Sequence, residues 1–84
     1  MRLYLQQHPT AGEAPKYVQL TLEQDLFDGW FLLRESGTTG GRPTLKREQF
    51  LARESAIAAF ESARDAQLKR GFHVMFAQGA DAPR

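Results

Sequence analysis

At 84 residues, with 42% hydrophobic and 25% charged side chains, the chain has room for one small domain and the composition of an ordinary globular protein, not of a disordered or fibrous one. The absence of cysteine excludes disulfide staples and thiolate metal sites, and a net charge of +1 does not by itself call for a nucleic-acid partner. The charge is nevertheless uneven: two basic residues stand against four acidic ones through Asp28, and nine against six after it, so the two parts carry −2 and +3.

In chain order, "RLYLQ" sets Leu3 and Leu5 on one face and Arg2, Tyr4 and Gln6 on the other, the period-2 pattern of a half-buried strand that ends by Pro9. The turn formers of "HPTAGEAP" follow, and "KYVQLTL" alternates again with Val18, Leu20 and Leu22 on one face. "EQDLFDG" predicts a turn whose Leu26 and Phe27 close over the core. In "WFLLRE" the apolar run predicts a central strand covered on both faces at its Trp30 end, with Arg34 and Glu35 emerging into solvent. The Gly/Thr-rich "SGTTGGR" reads as a hairpin turn, and "PTLKREQF" as a solvated edge strand whose charges discourage edge-to-edge pairing.

From Arg53 to Arg70, Ala56, Ile57, Phe60, Ala63 and Leu68 recur at helical spacing and make one apolar stripe. Glu54 near the start and Lys69 with Arg70 near the end suit the helix dipole, Asp65 and Lys69 are spaced for an i,i+4 pair, and Gly71 is a natural stop; Ala52 is a weak cap. "FHVMF" predicts a short last strand or a core-packing segment, and "AQGADAPR" a frayed tail. The expected fold is α+β: an antiparallel sheet of four to five strands with one long amphipathic helix on one face, a single domain over residues 1–76 and a tail over 77–84.

No chemical constellation stands out. His8 and His73 fall in a loop and a terminal strand, without an orienting acid or a serine elbow, and their spacing fits no metal site. Asp25 and Asp28 are accounted for by turn chemistry. A phosphate-cradling P-loop needs Gly-Lys-Ser/Thr and an immediate helix, whereas Pro43 and an edge strand follow Gly41. Trp30 reads as a core anchor beneath the helix before it reads as a stacking platform. The basic residues Arg42, Lys46, Arg47 and Arg53, opposed within their span only by Glu48, are expected on one side of the loop and edge strand, either as a solvated face or as a phosphate-contacting patch. An enzyme is therefore not expected, nor a metal, a cofactor or a small-molecule substrate. With no apolar leader and no run near the roughly 18 residues of a membrane span, a soluble, cytoplasmic chain without a membrane partner is expected.

The succession "LYLQ", "KYVQLTL", "LFDGWFLLRE", a Gly-rich loop and "AIAAFESARDAQLKRGF" resembles the WGR domain, in particular the small stand-alone bacterial WGR proteins, over Arg2 to Phe72. The resemblance implies a compact antiparallel sheet with one helix, and it implies DNA binding: the WGR domain of poly(ADP-ribose) polymerases packs its Trp against the sugar and base at a DNA end and uses its Arg for backbone and interdomain contacts. In the family the arginine and glutamate that end the central strand are followed by Trp-Gly-Arg. Here "RE" is followed by Ser36, Gly37 and Thr38, so only Gly37 of that motif carries over.

Ser36 for Trp removes a stacking contribution of about 1–3 kcal/mol, and Thr38 for Arg removes a phosphate contact. Weak binding to the DNA phosphate backbone is then expected through Arg34, Arg42, Lys46 and Arg47, with Ser36, Gly37 and Thr38 supplying hydrogen bonds. The alternative is a protein-interaction or self-assembly module that has lost the DNA site and uses the edge around "TLKREQF" or the aromatic pair Phe72 and Phe76.

Overall fold

The alternating segments become strands and the 3.6-period segment a helix. In the computed structural model, which describes residues 1–8 and 11–79, the order is β1 (Arg2–Gln7), β2 (Lys16–Gln24), β3 (Trp30–Thr38), β4 (Thr44–Phe50), α1 (Arg53–Lys69) and β5 (Phe72–Gln78). The strands form one antiparallel sheet in the spatial order β4-β3-β2-β1-β5, with α1 against one face, so the fold is α+β with all five strands in one sheet. Joining β5 to β1 makes β4 and β5 the two edges, and a bulge between Tyr4 and Leu5 marks the β1–β5 pairing.

One face of each inner strand supplies the core. Leu3 and Leu5 from β1, Val18, Leu20 and Leu22 from β2 and Leu32 from β3 meet Ala56, Phe60 and Ala63 of α1 and Phe72 of β5, all buried. Two alanines flanking one large aromatic let the helix approach closely while Phe60 fills the space between the layers. Trp30 packs half-buried against this cluster, as expected of a core anchor. The helix begins without a side-chain cap at Ala52, and its end is closed by N–H bonds from Arg70 to Gln67 and from Gly71 to Leu68, with Gly71 at φ 90°.

Several expectations are corrected. Leu26 and Phe27 do not close over the core; they are 96% and 90% exposed, because the hydrogen bonds of Asp25 to the N–H groups of Phe27 and Gly29 close the turn with both side chains outside. Leu68 leaves the apolar stripe at 43% exposure, since the helix contacts the sheet through its earlier turns. Asp65 pairs with its neighbour Arg64 at 2.9 Å in place of Lys69. Strand β3 continues through Ser36, Gly37 and Thr38, held by register to Val18, Tyr17 and Lys16, so these three residues belong to the sheet and not to the loop. Strand β5 runs on to Gln78, two residues past the expected end at Phe76, while residues 80–84 of the expected tail lie outside the described residues, as do Pro9 and Thr10.

The face away from α1 is not covered by a second layer, as the apolar run of β3 suggested, but by its own side chains. Phe31 and Leu33 are half-buried there, the Arg47 guanidinium lies 4.3 Å over the Phe31 ring, and Tyr4 and Tyr17 stack at 5.8 Å. The Tyr17 hydroxyl donates to Glu35 Oε2 at 2.8 Å. That hydrogen bond first, then burial and the negative charge of Glu35, hold the phenol above its ordinary value of 10.0.

Replacing Phe60 by Ala is expected to cost about 3–5 kcal/mol in urea unfolding, the size of removing a large aromatic from a packed core. For Tyr17 the folded value is the higher one, so its contribution to stability is complete below pH 10.0 and is lost as pH rises through the folded value. The unfolding temperature of the wild type should accordingly fall more between about pH 9 and about pH 11 than that of Tyr17→Phe; parallel curves would show that the bond to Glu35 contributes nothing.

Candidate nucleic-acid interface

On the helix side of β3, Leu32 is followed by Arg34 and Ser36, and the register sets Glu48, Lys46 and Thr44 of β4 directly opposite them. Leu32 lies under α1, whereas the rest of this row extends past the apolar contacts of the helix. What remains is a cleft of about 220 Å³ lined by Arg34, Ser36, Thr44 and Lys46 from the sheet and by Gln67 and Arg70 from the end of the helix, over an apolar floor of Val18, Leu20 and Ala63. A second cleft of about 250 Å³ shares Val18, Ser36 and Arg70 with it and continues past Lys16, Tyr17, Gly37, Thr38 and Phe72. Together they form a trough around the carboxy-terminal end of α1.

Its charge is one-sided. Lys16, Arg34, Lys46 and Arg70 line it, and among the described residues no carboxylate does, the closest partner of these cations being Glu48, which pairs with Arg34 beside the cleft. Arg34 and Lys46 face each other across β3 and β4, a pairing of like charges that disfavours the sheet. Glu48 relieves it from the diagonal position: its Oε1 lies 2.6 Å from Arg34 Nη2. The contact is an ion pair, and among the described residues the buried Nε of Arg34 and Oε1 of Glu48 have no hydrogen-bond partner. Arg70 is held in place by its Nη1 donating to Gln67 Oε1 at 3.2 Å and by the Phe72 ring at 5.6 Å.

The turn that closes the trough is fixed by its backbone. Gly41 N–H donates to Thr38 O at 2.7 Å, Gly40 takes φ 83°, and both the N–H and the hydroxyl of Thr39 donate to Pro15 O, at 3.0 and 3.1 Å. Gly37 is pressed by the returning chain: a Cβ there would lie 3.3 Å from Arg42 O and 3.4 Å from Pro43 Cα.

The structure brings together Arg34, Ser36, Gly37, Thr38 and Lys46 of the residues expected to make a nucleic-acid site, and Arg42 stands exposed on the adjoining turn. Arg47 is not among them. Strand alternation turns it to the other face, over Phe31, and Arg53 lies at the start of the helix, 5.9 Å from the Trp30 ring centroid, so the basic residues do not share one side. Lys16, Thr44, Gln67 and Arg70 enter the site only through the fold. Of these, Arg70 had a signal in the sequence, as a basic residue ending the helix, but its direction depends on where the helix stops over the sheet.

His8 and His73 are brought within 4.5 Å of each other, ring centroid to ring centroid, across the β1–β5 edge. Phe72 is buried at 4% exposure and is part of the core, so it does not form a surface pair with Phe76. Among the described residues no group of three or more His, Cys, Asp or Glu is placed to hold a metal ion, and no helix is long and apolar enough to cross a membrane.

Comparison with curated proteins gives no match, and comparison with solved structures gives none. The model of the WGR domain family, a nucleic-acid-binding type of module, matches residues 1–77, which include every strand residue lining the trough and both of its helix-end residues. With that match running over nearly all of its length, the chain belongs to the WGR domain family.

Proposed function

We propose that this protein is a noncatalytic WGR module that binds nucleic acid, DNA in particular, weakly and through backbone phosphates laid along the trough at the end of α1. The observation that carries this reading is the convergence of Lys16, Arg34, Lys46 and Arg70 on one groove that no carboxylate lines among the described residues. Phosphate oxygens need charge and short hydrogen-bond donors, and the same groove supplies the hydroxyls of Ser36, Thr38 and Thr44 and the amide of Gln67. Arg34, already aligned by Glu48, has a fixed guanidinium to offer, and Arg42 adds a charge at the rim; Arg47, on the other face, has no part in this reading. Ser36 stands where the family carries its Trp, so the groove lacks a stacking ring at that point, and binding rests on charge.

Labelled duplex with a free end, titrated at two salt concentrations, tests the reading. Affinity should fall with salt at a slope of about −0.9 per phosphate neutralised, and the double change Lys46→Ala with Arg70→Ala should flatten the slope by about two phosphates. Absence of binding at low salt would sink it in favour of a protein-interaction or self-assembly module, for which the two sheet edges offer exposed apolar residues, Leu45 on β4 and Met75 and Phe76 on β5.

Restoring the missing ring gives an independent check. Ser36→Trp should tighten binding to a duplex end by about 1–3 kcal/mol, the size of one aromatic stack. If the affinity of the substituted protein is unchanged, the nucleic acid does not pass over position 36.

A further inference from the structure

Where the end of β1 meets the start of β5, the fold places two imidazoles side by side, and the trough uses neither. Leu5 and Phe72 are buried in the core, so strand alternation turns the register partners Gln6 and His73 to the face away from α1. His8, two residues past Gln6, reaches the same side. Both histidines are exposed, and their ring centroids lie 4.5 Å apart with the planes tilted by 58°. The backbone beneath them is anchored: Phe72 pairs with Gln7, and the Gln7 side-chain amide donates to Arg70 O at 3.3 Å.

The spacing matches that of two imidazoles on one ion. A transition metal sits about 2.0–2.1 Å from an imidazole nitrogen and so about 3.2 Å from the ring centre; two rings at a right angle around it have centres about 4.5 Å apart, and at the tetrahedral angle about 5.2 Å. The tilt of the rings excludes face-to-face stacking as the reason for their contact. Their register neighbours Gln6 and Tyr17 bring neither a cation to repel an ion nor a carboxylate to attract a hard one. Two nitrogen donors without an anionic oxygen suit Cu2+, Ni2+ and Zn2+, and do not suit Mg2+ or Ca2+.

We propose that His8 and His73 form a chelating site for one divalent transition-metal ion, Cu2+ ahead of Ni2+ and Zn2+, with water completing its coordination. Held there, the ion ties the edge strand β5 to β1, two segments far apart in the sequence. The two rings are brought together only by folding, so binding the ion favours the folded chain. The site shares no residue with the trough and does not depend on the reading proposed for it.

The test is a titration of Cu2+ into the whole chain in a non-coordinating buffer, followed by electron paramagnetic resonance and by thermal unfolding. One ion per chain is expected, with the hyperfine splitting of nitrogen ligands, weaker binding of Zn2+ and no response to Mg2+. His8→Gln and His73→Gln should each lower the affinity at least about tenfold, the scale at which loss of even an outer-shell partner of a metal ligand acts. Without metal both variants should unfold at the wild-type temperature, because both rings are exposed. Added Cu2+ should raise the unfolding temperature of the wild type and leave theirs in place, and Lys46→Ala with Arg70→Ala should bind the ion as the wild type does. The proposal is overturned if either histidine variant binds Cu2+ as tightly as the wild type, if one ion is bound per two chains and so bridges two copies, or if the urea-unfolded chain binds equally well.

Discussion

The seating of α1 on the sheet through Ala56, Phe60 and Ala63 is the contact on which the rest depends. Small residues bring the helix close, and the one large ring occupies the gap above Leu3, Leu5, Leu20, Leu22 and Leu32. In a chain of 84 residues no second apolar cluster of this kind is present among the described residues, and Trp30, Phe50, Ile57 and Val74 pack around this one. It also decides what remains open. The apolar stripe is spent by Ala63, and beyond it the helix end offers Gln67 and Arg70 while the sheet offers Arg34, Ser36 and Lys46. The trough is the part of the two-layer interface that the core does not reach.

That trough is held against local preference. Arg34 and Lys46 oppose each other across two strands where an opposite pair or two apolar residues would favour the sheet, and Glu48 offsets the repulsion. Among the described residues the buried Nε of Arg34 has no hydrogen-bond partner, a cost of the kind that natural folds tolerate at sites with another use. Gly37 belongs to the same trade: it allows the β3–β4 connection to fold back closely, and with the turn pinned to Pro15 the hydroxyls of Ser36 and Thr38 stay in the groove.

Much of the fold was legible because period-2 and period-3.6 patterns report which side of an element is buried, and Leu3, Leu5, Val18, Leu20, Leu22, Ala56 and Phe60 all follow them. Phe72, Ala77 and Gln78 join β1 through a long-range pairing that no local pattern encodes, which is why the last strand reads short in the sequence. Leu26 and Phe27 misled because hydrophobicity suggested burial where the Asp25 turn chemistry decided their direction. The site was legible in part. Arg34, Ser36 and Lys46 fall on one face by alternation, but the same alternation separates Lys46 from Arg47, and a basic run counted along the sequence conceals that split. Lys16, Gln67 and Arg70 arrive from other elements and become visible only when the strands are in register and the helix has an end.

The uneven charge along the sequence acquires a direction in the fold. Because β2 and β3 are antiparallel neighbours, the acidic turn at Asp25 and Asp28 closes one end of the pair, and the other end brings Lys16 against Thr38, next to Arg42. A net charge of +1 thus hides a gathering of cations at one end of the strand pair, while at the other the acidic turn is flanked by Arg47 over Phe31 and Arg53 near Trp30. Ser36 matters to the proposed function: with no ring at that point of the groove, approach and retention of a nucleic acid would both rest on the same few cations, and salt would act on both at once.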